Sequence, residues 1–208
     1  MILKKLGKFF GAKESVIDIK LKVVYCGPDG SGKSTNLGSL HENIEAREKE
    51  EITRLTCDGD LNEATTLFEA IPTNVTARSG YQFSCGVYEA NGELSRGLIL
   101  NGVQGIIFVA DSNPDAQDAN VEALTELESN LSKYMLSLDS IPWVLQYNKR
   151  DLTDAVDVNK LNQILNKRNV PFYEAQANQS IGVVEPFNDV ITCIAKNFHY
   201  DLIWVPEI

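Results

Sequence analysis

One loop of eight residues constrains this chain more than any other feature. Residues 27–34 read GPDGSGKS and match G-x-x-x-x-G-K-[ST], a pattern that forms a phosphate-binding loop between a strand and a helix. The apolar run 21–26 predicts a buried strand directly before the loop, and a helical pattern starts near Lys33. The motif therefore stands in the context that it requires.

The residue types of the loop explain how it would hold an anion. Gly27 and Gly32 let the backbone turn so that successive N–H groups point inward and form a nest. The helix that follows adds the positive end of its dipole, and the Lys33 ammonium reaches the β- and γ-phosphates. The Ser34 hydroxyl can complete the shell of a Mg²⁺ ion. We predict a nucleoside phosphate as ligand. The expected phosphate-binding residues are Gly27, Asp29, Gly30, Ser31, Gly32, Lys33, Ser34 and Thr35.

Composition argues against several other classes of protein. The 208 residues carry 19 Lys and Arg against 29 Asp and Glu, a net charge of −10, so no basic face is expected to neutralise a nucleic acid. No apolar run reaches the roughly 18 residues of a membrane span, and the first residues lack the pattern of a secretory leader. The four cysteines form no C-x-x-C pair, which favours reduced thiols over a metal site and the cytoplasm as compartment.

Alternating strand and helix patterns predict the fold. The near-continuous apolar run 105–111 indicates a strand buried on both faces of a parallel sheet. Residues 116–138 and 184–197 have the apolar spacing of helices, and 142–147 reads as another buried strand. We predict an α/β protein with a doubly wound, mostly parallel six-stranded sheet flanked by helices, whose ligands lie at the carboxyl ends of the strands.

The predicted domain spans residues 19–197, with a short segment on either side. Residues 1–18 are basic and apolar, and we expect them to pack on the domain rather than to touch an anionic membrane, although both stay open. Residues 198–208 form an apolar tail that either packs back on the domain or docks a partner. Inside the domain, the glutamate-rich stretch 42–60 predicts a solvated connection.

A second motif selects the base. Asn148, Lys149 and Asp151 form an N-K-x-D pattern directly after the strand predicted at 142–147, at the same sheet edge as the phosphate loop. The carboxylate of Asp151 can accept both hydrogens from the Watson–Crick edge of guanine. Adenine offers no such pair of donors there, so a guanine-fitted site would leave the carboxylate unpaired. The pattern therefore predicts guanine recognition and disfavours a P-loop ATPase or kinase.

These motifs together resemble the Ras-like small GTPases. Ala175 and Gln176 follow the next strand and resemble the S-A-K-type loop, whose backbone amide contacts the guanine oxygen in that family. The resemblance narrows to the bacterial MglA-type polarity GTPases and spans about residues 20–197. The segments that carry it are 25–28, 31–37, 98–100, 102–112, 146–152 and 169–175.

The resemblance carries implications for ligands, location and partners. It implies a Ras-like P-loop G domain that binds GTP or GDP with Mg²⁺. It also implies a cytoplasmic location, with a polar position as one option, and a role in cell polarity or motility. The implied partners are a roadblock-type, MglB-like activator and effectors of polarity or motility.

The departures from the family pattern cluster on GTP hydrolysis. Asp29 stands where the family normally has glycine, and a carboxylate there fills space and repels the charge that develops on the γ-phosphate. An alignment places Gly92 at the amide that senses the γ-phosphate and Glu93 where the water-positioning glutamine belongs, although another gapping would move both. In the first switch, residues 64–66 lack the family's arginine, and Thr65 or Thr66 is left as the second Mg²⁺ hydroxyl.

Two functions stay open on this basis. The first, which we favour, is a guanine-nucleotide-binding switch with slow or impaired hydrolysis. The second is a non-hydrolysing pseudo-GTPase that acts as a GTP-loaded scaffold.

Overall fold

The computed structural model describes residues 17–57, 60–77, 81–90, 93–197 and 202–204. Residues 1–16 of the N-terminal segment and Gly92 of the predicted site lie outside this part of the chain. The helices are α1 (Lys33–Asn43), α2 (Glu93–Ile99), α3 (Gln117–Ser132), α4 (Val158–Leu165) and α5 (Val184–Asn197). The strands are β1 (Ile17–Cys26), β2 (Ala46–Lys49), β3 (Thr53–Cys57), β4 (Asp60–Pro72), β5 (Val75–Ala77), β6 (Tyr81–Ala90), β7 (Gly105–Asp111), β8 (Trp143–Asn148), β9 (Phe172–Glu174) and β10 (Leu202–Trp204). None of the described helices is both long and apolar enough to span a membrane.

A central sheet of eight strands organises the fold. Its order is β2-β4-β6-β1-β7-β8-β9, and β3 also pairs with β4. The five strands from β6 to β9 run parallel, whereas β4 is antiparallel to β6, and β2 and β3 are antiparallel to β4. This architecture confirms the predicted α/β fold with a mostly parallel sheet flanked by helices.

The sheet has eight strands where the sequence predicts six, because the polar stretch 42–60 contributes β2 and β3. The charge pattern describes only side chains, and those of β2 are largely exposed, as expected. The backbone nevertheless pairs with β4, whose 13 residues are long enough to accept both strands in succession. Strand pairing of this kind depends on the edge that a partner strand provides, so the charge pattern of the segment itself does not predict it.

The core lies on both faces of the sheet. All seven residues of β7 are buried, as the apolar run predicts. On one face Ile107 and Val109 pack in a cluster with α1 and α5, and on the other face Ile106 and Phe108 pack in a cluster with α3 and α4. Helices on both faces leave the carboxyl edge of the parallel strands open for the loops that follow them.

Part of the C-terminal tail pairs with the domain. Strand β10 is antiparallel to β5, with Leu202 opposite Ala77 and Trp204 opposite Val75. Since β5 lies between β4 and β6 in the chain, this pairing joins the end of the described chain to the connection between these two strands.

The packing of α5 on β7 can be tested at Gly105. A Cβ at this position would lie 2.3 Å from Val190 Cγ1 and 2.8 Å from Ile194 Cδ1. We expect Gly105→Ala to lower the free energy of unfolding by about 1–3 kcal/mol, as overpacking does in other cores. Urea titration of the nucleotide-free protein measures this change.

The matched control is Gly38→Ala, since Gly38 lies inside α1 and a Cβ there meets no atom within 4 Å. This variant should be stabilised by up to about 1 kcal/mol, because alanine has the higher helix propensity. A Gly105→Ala variant as stable as the wild type would contradict the contact between α5 and β7.

Candidate functional site

The residues of the two predicted binding motifs meet at the carboxyl edge of the parallel strands. The loop 27–32 follows β1, Asp111 ends β7, and Asn148 ends β8. Strands β1, β7 and β8 are neighbours in the sheet, so residues from distant parts of the chain come together there. Such an edge is where ligands bind in open α/β sheets.

The two glycines that define the loop motif are fixed by close contacts. Gly27 has φ +136°, and a Cβ on it would lie 2.1 Å from the carbonyl oxygen of Val109. Gly32 has φ +94°, and its Cβ would lie 2.4 Å from Asn148 Nδ2. Gly30 also has a positive φ, of +77°, but a Cβ there would meet no atom within 4 Å. The first and sixth positions of the motif therefore need glycine for space as well as for backbone conformation.

The Lys33 ammonium lies inside the phosphate loop. Its Nζ donates to the carbonyl oxygens of Gly27, at 3.1 Å, and Pro28, at 2.8 Å, and the side chain is only 5% exposed. Burial lowers the pKa of Lys33, whereas the carboxylates of Glu89 and Asp29 act in the opposite direction. The first turn of α1 continues with Ser34 and Thr35, which are exposed. A cation, a helix N-terminus and hydroxyl groups thus converge at the loop.

The side chain of Asn148 joins three loops. Its Nδ2 donates to the carbonyl oxygen of Ser31 at 2.8 Å, and its Oδ1 accepts from the N–H of Ala177 at 3.1 Å. Both bonds are buried. The base-reading motif after β8 is therefore tied to the phosphate loop on one side and to the loop after β9 on the other.

Lys149 and Asp151 have separate partners. Lys149 has φ +64°, and its Nζ donates to Asp111 Oδ2 at 2.6 Å. Asp151 is exposed and accepts a hydrogen bond from Asn178 Nδ2 at 3.2 Å. Asp111 is the last residue of the strand predicted at 105–111. Its place at the carboxyl end of a buried strand was the sequence signal that could have identified it as a partner of the N-K-x-D motif.

The loop after β9 differs in register from the prediction. The N–H of Ala175 donates to Tyr147 O at 2.8 Å within the sheet, and the N–H of Gln176 donates to Ile181 O at 3.0 Å. The residues beside Asn148 and Asp151 are instead Ala177 and Asn178, two positions further on. An alanine stands in the middle of either register, so the sequence alone does not separate the two.

Sequence analysis missed Glu89, a carboxylate near the end of β6 that is only 1% exposed. Burial raises its pKa, whereas the nearby Lys33 charge and hydrogen bonds with Ser34 and Thr66 act in the opposite direction. Its Oε2 has no hydrogen-bond partner among the described residues. The sequence signal for Glu89 was a single carboxylate at the end of a segment that otherwise predicts a buried strand.

The predicted switch residues are placed only in part. Thr65 and Thr66 are half-buried in β4, opposite Ala90 and Glu89 of β6, and Thr66 is the one that contacts Glu89. Glu93 begins α2, but its side chain lies outside the described part of the structure. Asp29 lies in the phosphate loop with its side chain 76% exposed.

Comparison with known proteins identifies the family. No protein-family model matches the chain. Among curated proteins, the mutual gliding-motility protein MglA of Myxococcus xanthus (strain DK1622) is 37% identical over 183 residues, or 86% of this chain and 90% of that protein. The chain belongs to the MglA family of small GTPases. Membership in the MglA family confirms the resemblance seen in the motifs and the Ras-like fold, and it makes guanine nucleotides the ligand class.

The role of Asn148 in holding the site together can be tested by truncation. Asn148→Ala leaves the Ser31 carbonyl and the Ala177 N–H without these partners, and each unpaired buried group costs about 1–3 kcal/mol. We expect the free energy of unfolding to fall by about 2 kcal/mol or more and guanine-nucleotide affinity to weaken with it. Urea titration and titration with a fluorescent guanine nucleotide measure the two effects.

The control is Asn159→Ala, which removes an exposed asparagine side chain in the first turn of α4. This variant should keep full nucleotide affinity. If Asn148→Ala matched Asn159→Ala in both measurements, the link between the three loops would not contribute to stability or binding.

Proposed function

We propose that this chain is a guanine-nucleotide-binding switch with slow or impaired GTP hydrolysis, which acts in cell polarity or motility. The observation that supports the nucleotide site is a pair of buried hydrogen bonds of Asn148, which donates to Ser31 O of the phosphate loop and accepts from the N–H of Ala177. The identity to a protein named for gliding motility supports the cellular role. A GTP-loaded scaffold without hydrolysis is the second candidate, which the two carboxylates Asp29 and Glu93 favour.

In the proposed complex the triphosphate lies along residues 27–35 and the base lies at the carboxyl end of β8. Asn148 and Lys149 support the base-reading loop, and Asp151 pairs with the guanine edge. In this proposal Ala177 and Asn178 take the role predicted for Ala175 and Gln176, because their hydrogen bonds join them to Asn148 and Asp151. The Asn178 amide donates to one oxygen of Asp151, and because each carboxylate oxygen can accept more than one hydrogen bond, both oxygens remain available to the guanine edge.

The residues at the phosphate loop fit a Mg²⁺ ion. The ion prefers oxygen ligands and keeps several waters, so one or two protein oxygens with phosphate oxygens are enough. The Ser34 hydroxyl and the unpaired Oε2 of Glu89 supply such oxygens, and Thr65 or Thr66 supplies a further hydroxyl. No group of three or more His, Cys, Asp or Glu in the described part of the chain could hold a metal by itself. When bound, the ion would neutralise phosphate charge, while Ser34 and Glu89 orient it.

Slow hydrolysis follows from the charges around the phosphate loop. Asp29 adds a carboxylate where charge develops on the γ-phosphate, which raises the barrier by electrostatic repulsion. Glu93 would replace the amide donor that positions water with a second carboxylate. A roadblock-type, MglB-like activator is the partner class that we propose to overcome this barrier, and polarity or motility effectors are the proposed readers of the bound state, in the cytoplasm or at a cell pole.

The proposed role of Glu89 in holding Mg²⁺ predicts that Glu89→Gln weakens the effect of Mg²⁺ on GTP affinity. The substitution keeps the shape of the side chain and removes its charge, so the gain in GTP affinity on adding Mg²⁺ should shrink about tenfold, equivalent to about 1.4 kcal/mol. Glu122→Gln makes the same charge change on the exposed face of α3 and serves as control. Calorimetry of nucleotide-free protein with and without Mg²⁺ measures the gain, and an unchanged gain in Glu89→Gln would remove Glu89 from the metal site.

The hydrolysis proposal predicts a gain of function. The double variant Asp29→Gly with Glu93→Gln should cleave GTP at least about tenfold faster in a single turnover, since one oxyanion-stabilising contact is commonly worth that much or more. Single-turnover assays with wild type, both single variants and Glu122→Gln measure the rate. No rise in a folded double variant that still binds GTP would defeat this explanation.

The same assay separates the switch from the scaffold. A switch cleaves its bound GTP, slowly alone and faster with a roadblock-type activator, and co-purifies at least partly with GDP. A scaffold retains GTP under both conditions.

A further inference from the structure

An arginine of α2 contacts the unusual carboxylate of the phosphate loop. Arg96 Nη1 lies 3.1 Å from Asp29 Oδ1, and the Arg96 side chain is only 26% exposed. Lys33 Nζ is farther from the same oxygen, at 4.0 Å, and donates its short hydrogen bonds to loop carbonyls. Arg96 is therefore the principal counter-charge of Asp29 among the described residues.

Helix α3 holds this arginine from the other side. Arg96 Nε lies 3.8 Å from Glu126 Oε1, and the same oxygen accepts a hydrogen bond from Asn130 Nδ2 at 3.4 Å. Asn130 Oδ1 in turn accepts from Lys133 Nζ at 2.7 Å. The guanidinium thus lies between the phosphate loop and α3, and the Glu126 carboxylate attracts it across a gap longer than a hydrogen bond.

We propose that Arg96 neutralises Asp29 at the opening of the phosphate site and thereby preserves affinity for a nucleoside triphosphate. Arg96 acts here as a positioning residue through Asp29, and the inference rests on the proposed nucleotide site. The pair also requires α2 to stay against the phosphate loop.

We expect loss of the Arg96–Asp29 pair to weaken binding of the γ-phosphate more than binding of the rest of the nucleotide. A triphosphate brings one more charged group to the loop than a diphosphate, so an uncompensated Asp29 carboxylate penalises GTP more than GDP. Asp29 is exposed, and solvent screens its interactions, so the effect is modest. The ratio of GTP to GDP affinity is therefore the quantity to measure, since losses common to both nucleotides cancel in it.

A double-mutant cycle tests the proposal. Affinities of nucleotide-free protein for GDP and for a non-hydrolysable GTP analogue are measured by calorimetry in wild type, Arg96→Gln, Asp29→Asn and the double variant. Arg96→Gln should lower the ratio of triphosphate to diphosphate affinity about fivefold when Asp29 is present, and by much less in the Asp29→Asn background. Arg96→Lys should retain most of the ratio, because it keeps the charge.

The matched control is Arg168→Gln. Arg168 is similarly exposed, at 33%, and pairs with Glu128 at 2.6 Å and Asp139 at 2.8 Å. It should leave the affinity ratio unchanged.

Two results would overturn the inference while the nucleotide site stands. One is an equal fall of the ratio in both backgrounds, which would mean that Arg96 does not act through Asp29. The other is an unchanged or raised ratio in Arg96→Gln. Absence of guanine-nucleotide binding in the wild type would instead refute the proposed function itself, and the inference with it.

Discussion

The contact between Asn148 and the phosphate loop is the interaction on which the rest of the site depends. Its amide donates to Ser31 O and accepts from Ala177 N, so one buried side chain sets the distance between the phosphate loop and two other loops. A Cβ on Gly32 would collide with the same amide, so only glycine fits at this position. The glycine of one motif and the asparagine of the other are thus one packing arrangement, although 115 residues separate them along the chain. A nucleotide that touches both motifs can bind with little further ordering, because the protein has already fixed their spacing.

The features that sequence predicted well are those with a local physical cause. The apolar run at 105–111 can be buried on both faces only as a central strand, and all seven residues of β7 are buried. The glycines of the phosphate loop follow from backbone conformations that other residues avoid. The helix at 184–197 shows its apolar spacing directly and has the predicted bounds. In each case the constraint acts within a few residues and is visible in the sequence without knowledge of the fold.

The features that sequence did not predict depend on partners outside the segment itself. Strand β3 forms because β4 provides an edge with which it can pair, and the residues of β3 alone do not predict this pairing. Ala175 and Ala177 look alike until the pairing of β8 with β9 uses the N–H of Ala175. Glu89 became a candidate site residue only once β6 was placed beside β4 and β1, with Thr66 and Lys33 near its carboxylate. Register and tertiary placement decided all three.

The balance of charge around the loop shows how the proposed combination of GTP binding and slow hydrolysis could arise. Asp29 and Glu89 place two carboxylates near a site built for phosphates, and Lys33, Arg54 and Arg96 are cations close to one or both of them. In the ground state these cations, together with the proposed metal ion, can offset the repulsion. The transition state concentrates additional charge at the γ-phosphate, and a carboxylate at position 29 opposes this change whatever the ground-state balance. Neighbouring cations can therefore offset the acidic residues while the nucleotide is bound. Fast hydrolysis would require these cations to act more strongly as charge develops in the transition state. In this arrangement Arg96 is paired with Asp29, and the nearby Glu126 carboxylate also attracts it, so part of its charge is already used before the transition state forms.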